Sequence, residues 1–307
     1  MKMFSVMLTT LALAGYGTFE VGGSAAVAQA TQQSASTNVR HAVRYSHMKR
    51  HARTGSAAAQ PASSSGPWLA PNELPYLGDP KTLPPPELTE VWSPVPMHVT
   101  PAVRDGSPPS DAIVLFDGTT LNGWETVKDG SPAKWHVDNG DLVVTPGAGD
   151  IRTSGLFGDV QLHVEWMPPA EAPDKVGQDR GNSGVYLQGL YEVQVLETFE
   201  NITYPNGQAG SIYKQFIPLV NASRPAGQWE SYDIVFTAPR FNPNGTLLSP
   251  ARMTVFQNGI LVQNNVTLKG PTVFRGPPHY TAHGDRGLML QDHGHEVRFR
   301  NIWLRRL

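Results

Sequence analysis

The chain of 307 residues contains no cysteine, and only 16% of its residues are charged. The lack of cysteine rules out disulfide bonds, thiolate-ligated zinc sites and a cysteine nucleophile. Because secreted animal domains of this size usually carry disulfides, the composition favours an exported bacterial protein. The net charge of −2 argues against a generally basic nucleic-acid-binding protein, so no nucleic-acid partner is predicted.

The sequence also lacks long segments that are free of helix breakers. It contains 30 glycines and 27 prolines, which argues against a coiled coil or a helix bundle. No window of about 12 residues carries apolar residues at helical spacing. A β protein with many turns is therefore the predicted class.

The first 30 residues have the pattern of a secretory signal peptide. Lys2 supplies the positive start, residues 3–14 are mostly apolar, and the small residues Ala28 and Ala30 form a cleavage site. The apolar stretch is short for a membrane span of about 20 residues, which makes an uncleaved anchor the weaker interpretation. We expect export to the periplasm or the medium, with no transmembrane segment in the mature chain.

Two further segments precede the predicted domain at 111–307. Residues 31–66 contain five basic residues and no acidic residue, and their composition predicts a disordered linker. A basic tether to an anionic envelope surface is an alternative. Residues 67–110 contain 12 prolines, which predicts an extended arm. Trp68 and Trp92 suggest that this arm packs on the domain.

Residues 111–307 consist of short runs with a period of two, separated by Gly, Pro and Asn. Strands are predicted at 113–116, 161–166, 191–196, 232–236, 288–291 and 297–304, with hairpins at 135–145 and 252–263. Asn139-Gly140 and Asn258-Gly259 provide the hairpin turns. Such runs predict an antiparallel sandwich.

The outward positions of several predicted strands carry carboxylates, amides and imidazole. They are Glu165, Glu192, Gln194, Gln291 and His293. Sugars are bound by planar polar groups that pair with hydroxyls and by aromatic faces that stack on C–H groups. The pattern favours a carbohydrate groove, and an ordinary hydrated sheet face is the alternative.

Five motifs in a fixed order carry a family resemblance over residues 111–307. Their sequences are IVLFDGTTLNGW at 113–124, RGNSGVYL at 180–187, YEVQVLE at 191–197, WESYDI at 229–234, and LQDHG at 290–294 followed by VRFRNI at 297–302. Together they resemble the 3-keto-disaccharide hydrolase family. The resemblance implies an all-β fold, a concanavalin A-like jelly-roll sandwich of two antiparallel sheets with the site on the concave face. It also implies export and glycoside substrates oxidised at C3.

A ketone at C3 makes the C2 hydrogen acidic, so a base can form an enolate that expels the C1 substituent. Water addition to the resulting enone completes a net hydrolysis. This route needs a base near C2, an electrophile near the C3 oxygen and an acid near the leaving oxygen. His293 is the first candidate for base or acid, and Arg180 for the electrophile. A turn histidine and a loop salt bridge are the structural alternatives for these two residues.

Further candidate residues lie in the same motifs. Glu192 is a catalytic or hydroxyl-binding candidate. The predicted substrate-binding residues are Glu165, Asn182, Tyr186, Gln194 and Gln291.

Two other functions remain open. A retaining glycoside hydrolase could use Glu192 and Glu197 if one bulge brings them to the same face, but Gln194 stands where such enzymes place a central carboxylate. A non-catalytic carbohydrate-binding module is the second alternative. A deep groove with a titratable group at its floor would indicate an enzyme, and an aromatic platform without one would indicate a module.

No cofactor is firmly predicted, but a divalent metal is possible because histidines and carboxylates are dense near the C-terminus. The group comprises His279, His283, His293, His295, Asp285, Asp292 and Glu296. Its spacing matches no closed structural zinc pattern.

Overall fold

The structure is a computed structural model that describes residues 84–170 and 175–307. Within these residues there is no α-helix, and helical structure is limited to 3-10 segments at Pro86–Thr89 and Pro205–Gly207. The strands are β1 (Ile113–Phe116), β2 (Trp124–Thr126), β3 (His136–Asp138), β4 (Asp141–Val143), β5 (Ile151–Thr153), β6 (Val160–Met167), β7 (Ser183–Leu187), β8 (Tyr191–Val195), β9 (Glu230–Thr237), β10 (Arg240–Phe241), β11 (Leu247–Ser249), β12 (Arg252–Gln257), β13 (Ile260–Thr267), β14 (Met289–Leu290) and β15 (Arg298–Arg306).

The strands form two main antiparallel sheets. The larger sheet has the order β13-β12-β9-β6-β15-β4-β3, and β1 pairs with β15 as its eighth strand. The five-stranded sheet has the order β2-β5-β14-β7-β8. A small two-stranded sheet joins β10 and β11. The predicted all-β sandwich of antiparallel sheets is confirmed.

Both predicted hairpin turns are present. Asn139 and Gly140 have φ values of 52° and 87°, and Asn258 and Gly259 have 52° and 76°. Two-residue hairpin turns with positive φ at both positions match the twist of the flanking strands. The Asn-Gly pairs therefore set the register of β3 with β4 and of β12 with β13.

A single hydrophobic core lies between the two main sheets. The larger sheet contributes Trp166 and Phe236, and the five-stranded sheet contributes Val185 and Tyr191, all of them fully buried. The Tyr191 and Phe236 rings, one from each sheet, are 5.5 Å apart. Because side chains alternate along a strand, this core turns the remaining side chains of β7 and β8 away from the larger sheet.

The fifteen strands of the described residues all lie within the compact unit 89–307. The predicted signal peptide, the predicted linker and residues 67–83 lie outside the described residues. In the remainder of the arm, Trp92 is 81% exposed. The Gly106 carbonyl, by contrast, accepts hydrogen bonds from Asn301 Nδ2 at 2.7 Å and Trp303 Nε1 at 2.8 Å.

Among the described residues, no helix is long and apolar enough to cross a membrane.

Candidate functional site

A cleft of about 560 Å³ opens on the outward face of the five-stranded sheet. Its size is typical of pockets that bind small molecules. Six residues proposed from the sequence line it, namely Asn182, Tyr186, Glu192, Gln194, Gln291 and His293. The motifs at 180–187, 191–197 and 290–294 therefore meet in one place.

The centre of the cleft is a cross-strand pair, with Tyr186 on β7 directly opposite Glu192 on β8. The Tyr186 hydroxyl acts on the Glu192 carboxyl and favours its ionised form. Gly184, two residues before Tyr186, provides the room for both side chains. A Cβ at this position would lie 2.6 Å from Tyr186 Cε2 and 2.8 Å from Glu192 Oε1.

Glu192 is a buried carboxyl group with only 3% of its surface exposed. Burial raises its pKa to about 8, and the nearby Asp150 carboxylate acts in the same direction, whereas the Tyr186 hydroxyl opposes both. Its backbone N–H donates to Thr272 Oγ1 at 3.0 Å. Glu192 can therefore exchange a proton near neutral pH inside the cleft, which is the property expected of a general acid or base.

Amide side chains surround this pair. Gln291 Nε2 donates to the Tyr186 hydroxyl at 3.2 Å. In one orientation of its amide, Gln194 donates to Gln178 Oε1 at 3.1 Å. In the other orientation it donates to Glu192 Oε1 at 2.9 Å and to the Ser183 carbonyl at 3.0 Å. The floor thus combines one titratable carboxyl with a phenol and amides that suit sugar hydroxyls.

His293 lines the cleft at its exposed edge. The prediction that it occupies an outward strand position is wrong, because β14 ends at Leu290 and a turn follows. Asp292 holds this turn, since its Oδ1 accepts from the Gly294 N–H at 3.0 Å and its Oδ2 from the Gly149 N–H at 2.9 Å. The period of two therefore stops before it reaches His293.

Five further lining residues were missed by the sequence analysis. They are Gln178, Tyr204, Tyr213, Thr272 and Phe274. All five lie in the loops that connect the strands. Strand periodicity carries no information about positions in loops. The sequence signal that could have identified them is the presence of aromatic residues in segments rich in Gly and Pro.

Two of the predicted catalytic residues do not line the cleft. Arg180 Nη2 lies 2.7 Å from Glu197 Oε2, and the Glu197 side chain is only 1% exposed. The Glu197 N–H also donates to the Arg180 carbonyl at 3.0 Å. Because the two side chains neutralise each other, the predicted roles of Arg180 as an electrophile and of Glu197 as a carboxylate partner of Glu192 do not fit this arrangement.

Glu165 is on the other sheet, so its predicted place in the groove is wrong. It lies on β6 of the larger sheet, where Arg300 Nε donates to its Oε2 at 2.6 Å and Asn301 Nδ2 to its Oε1 at 2.9 Å. The alternation in 161–166 correctly predicts a strand, which is β6. Alternation identifies the two faces of a strand but not the sheet to which the strand belongs.

The described part of the chain contains no group of three or more His, Cys, Asp or Glu side chains arranged to hold a metal ion. The histidines of the C-terminal group have different neighbours. His283 Nε2 lies 2.8 Å from the Tyr191 hydroxyl, outside the cleft. The His293 and His295 rings stack in parallel with their centres 6.4 Å apart, and His295 Nε2 lies 3.3 Å from Asp179 Oδ1.

Residues 111–305 match the family described as the 3-keto-alpha-glucoside-1,2-lyase-like domain. A crystal structure from Parabacteroides distasonis ATCC 8503, provisionally named as a glycosyl hydrolase, is 47% identical to the chain with a TM-score of 0.69. The alignment covers 73% of this chain and 97% of that one. A second provisional glycosyl hydrolase from the same organism is 20% identical, with a TM-score of 0.47 and coverage of 64% and 94%. No curated protein matches the chain significantly.

Proposed function

The chain belongs to the family of the 3-keto-alpha-glucoside-1,2-lyase-like domain, and we propose that it cleaves glycosides whose sugar is oxidised at C3. The observation that carries this proposal is the buried carboxyl of Glu192, which faces the cleft beside Tyr186. An elimination route needs a base of near-neutral pKa beside the acidic C2 hydrogen, and the raised pKa of Glu192 suits that task.

In the first step, the Glu192 carboxylate removes the C2 proton, and the C–H electrons delocalise onto the C3 oxygen as an enolate. The negative charge on that oxygen needs hydrogen-bond donors. The Gln291 amide donates one of its two N–H groups to Tyr186, which leaves the second as the donor that the floor offers. This neutral donor replaces the Arg180 guanidinium in the predicted role.

In the second step, the enolate electrons form a C1–C2 double bond, and the C1–O bond breaks towards the leaving oxygen. His293, at the open edge of the cleft, is the group we assign to protonate that oxygen. Addition of water then places a hydroxyl on C1 and a proton on C2, which gives net hydrolysis. Release of the enone before this addition gives a lyase outcome from the same residues.

The alternative functions are less well supported. A retaining glycosidase needs two carboxyl groups about 5 Å apart on either side of the scissile bond, whereas Glu197 is paired with Arg180. A non-catalytic binding module has no use for a buried titratable group at the floor of its groove. The position of Glu192 therefore favours an enzyme.

We further propose that the protein is exported in a bacterium and meets its carbohydrate substrate in the periplasm or outside the cell. The support is the signal-peptide pattern of residues 1–30 together with the absence of cysteine from the sequence. A comparison of the N-terminal sequence of the exported protein with that of the full chain tests this proposal, and a chain retained whole in the cytoplasm contradicts it.

The isosteric Glu192→Gln variant tests the proposed base. On a 3-keto-disaccharide it should lower kcat by about 10²- to 10⁴-fold. In the wild type, kcat/KM should rise with pH and level off above about 8, because the carboxylate is the active form. This rise should be absent from the residual activity of the variant.

Stability measurements on the same variant separate catalysis from folding. The folded-state pKa of Glu192 is about 8 against an ordinary value of 4.5, so the wild type loses stability as pH rises from about 4.5 through 8. Glu192→Gln lacks this loss and should be at least as stable as the wild type at alkaline pH. A folded variant with nearly full kcat would remove Glu192 from the mechanism.

A further inference from the structure

Three aromatic residues form one side of the cleft mouth, and we call them the aromatic wall: Tyr204, Tyr213 and Phe274. All three line the same cleft as Glu192. Phe274 is 64% exposed and Tyr204 is 38% exposed. Exposed ring surface at the mouth of a polar cleft marks a place for a ligand with an apolar face.

The wall offers a ligand mainly aromatic ring surface and few hydrogen-bonding groups. The Tyr204 and Tyr213 hydroxyls are hydrogen-bonded to each other at 2.7 Å, and their ring centres are 6.3 Å apart. Phe274 has no polar atom in its side chain. The wall therefore differs in chemistry from the floor, where carboxyl, phenol and amide groups converge.

Lys214 joins the two loops that carry the wall. Its Nζ donates to the Phe274 carbonyl at 2.9 Å and lies 4.1 Å from the centre of the Phe274 ring. The same Nζ is 5.6 Å from the ring centres of both Tyr204 and Tyr213. Its cation–π contacts hold the three rings around one charge. The Arg275 guanidinium carbon lies 5.5 Å from the centre of the same ring. Phe274 is nevertheless 64% exposed, so ring surface remains for a ligand.

Gly207 couples the wall to the floor. A Cβ at this position would lie 2.0 Å from Tyr204 Cε2, so the Tyr204 ring is packed directly against the backbone. The Gly207 carbonyl accepts from Gln178 Nε2 at 2.9 Å, and Gln178 lines the floor. The wall therefore has a fixed position relative to the polar floor before a ligand binds. This reduces the conformational entropy that the wall loops lose on binding.

We propose that the aromatic wall is the leaving-group subsite and that it selects leaving groups with a flat apolar face. Such a face is offered by an aromatic ring or by the C–H side of a second sugar, whereas a methyl group offers none. The polar floor takes the hydroxyl-bearing oxidised ring, which leaves the wall to the group on C1. This inference rests on the proposed function, because a leaving group presupposes cleavage at C1.

Equilibrium binding tests the wall without any turnover. Titration calorimetry compares the unoxidised 4-nitrophenyl and methyl glucosides on the wild type, on Phe274→Ala and on Phe199→Ala. Phe199 is the matched control, since it is 38% exposed and does not line the cleft. Phe274→Ala should weaken binding of the aryl glucoside about tenfold and change methyl glucoside binding less than about twofold. Equal affinity of the wild type for the two glucosides, or equal losses in the variant, overturns the proposal.

Turnover of the 3-keto forms of the methyl glucoside, the aryl glucoside and a disaccharide gives the second test. Phe274→Ala should raise KM for the aryl glucoside and the disaccharide, whose leaving groups contain a ring, and leave KM for the methyl glucoside unchanged. The disaccharide and aryl substrates distinguish a sugar face from an aromatic ring. If no 3-keto glycoside is cleaved while the binding preference holds, the proposed function fails, and the wall is a binding site for an apolar face but not a leaving-group subsite. If all three are cleaved without dependence on Phe274, the subsite fails and the function remains.

Lys214→Met tests the positioning of the wall. This variant should show a raised KM for the aryl glucoside and the disaccharide, while kcat on the methyl glucoside is unchanged. A structural role alone would lower activity on all three substrates together, and that result would exclude Lys214 from the selection of the leaving group.

Discussion

Glu192 combines burial with hydrogen-bonding partners in a way that a structural carboxyl rarely needs. Desolvation disfavours its ionised form, and the nearby Asp150 carboxylate adds to the effect. A salt-bridged carboxyl would have its pKa moved in the opposite direction. The cleft therefore keeps a proton acceptor near its working range, directly opposite Tyr186 on the neighbouring strand.

Gly184 is the residue that allows this arrangement, and Gly184→Ala should remove most of the activity. The new Cβ would lie 2.6 Å from Tyr186 Cε2 and 2.8 Å from Glu192 Oε1, so both side chains must move. Overpacking of this kind typically lowers stability by about 1–3 kcal/mol. The matched control is Gly284→Ala, because a Cβ at Gly284 meets nothing within 4 Å.

Kinetics and urea unfolding of the two glycine variants give the answer. If Gly184→Ala retains wild-type kcat, the geometry of the Tyr186–Glu192 pair is not required for turnover. If Gly284→Ala is equally inactive, the loss comes from glycine replacement in general.

His293→Ala should lower kcat on a 3-keto-disaccharide by about 10²- to 10⁴-fold, because a sugar alkoxide leaves slowly without an acid. Unfolding free energy should change by about 1 kcal/mol or less, since His293 is exposed. A 4-nitrophenyl leaving group departs without protonation, so the variant should be close to wild type on the 3-keto aryl glucoside. An equal loss on both substrates would assign His293 a role other than acid to the leaving group.

The strands of the five-stranded sheet could be predicted well because their sequences alternate. Val193 and Val195 on β8 are buried in the core, and Glu192 and Gln194 face the cleft as the period of two requires. The alternation of Leu290 with Gln291 was equally informative. The cleft-lining positions in the loops could not be predicted, because the sequence near Tyr204 or Phe274 does not indicate which edge of a sheet the loop crosses.

The end of β8 shows a different limit. Glu197 follows the strand, and its burial beside Arg180 depends on a contact between distant loops that no local pattern reveals. A carboxylate in a strand motif of a glycoside-cleaving family invites a catalytic interpretation. Its pairing with Arg180 instead indicates a structural ion pair that fixes the loop after β8.

Glu197→Gln should therefore preserve kcat within a few-fold while it destabilises the fold. Removing one member of a buried ion pair leaves the Arg180 charge without its counter-ion, and fully buried pairs lose about 3–5 kcal/mol on such a change. Because Arg180 is 22% exposed, a smaller loss is expected here. Thermal unfolding and kcat below the unfolding transition provide the measurement. A folded variant with kcat lowered 10³-fold would restore the glycosidase alternative.

The two outward faces of the sandwich carry different polar groups, and this division explains the error over Glu165. On the larger sheet, His163 is buried beneath Gly106 with its Nδ1 2.7 Å from Asp233 Oδ1 and its Nε2 3.7 Å from Glu165 Oε1. Its ring stacks on Trp303 at 5.3 Å between centres. On this face an ionic network lies beneath Gly106 of the arm, whereas the five-stranded sheet carries the cleft. Only tertiary structure distinguishes two such faces.

The pH dependence of stability should reveal this network. Burial opposes protonation of His163, but the hydrogen bond with Asp233 and the attraction of the Glu165 carboxylate outweigh it and raise the pKa to about 9 from 6.5. The stabilisation is fully present below about 6.5 and is lost as pH rises through 9. His163→Gln should therefore cost on the order of 2–3 kcal/mol more at pH 6 than above pH 9.5.

Urea unfolding of the wild type and His163→Gln at the two pH values checks this expectation, with kcat as the control for the remote cleft. A destabilisation by His163→Gln that is the same at both pH values would mean that His163 acts through packing alone.

The central claim concerns the oxidation state of the sugar, and one measurement addresses it directly. The purified protein is incubated in D₂O with a 3-keto-disaccharide or with its unoxidised parent, and the products are followed by NMR. The proposed route predicts cleavage of the keto compound alone, with deuterium incorporated at C2 of the released sugar. Comparable cleavage of the unoxidised parent, without deuterium at C2, would contradict the elimination mechanism and the role given to Glu192.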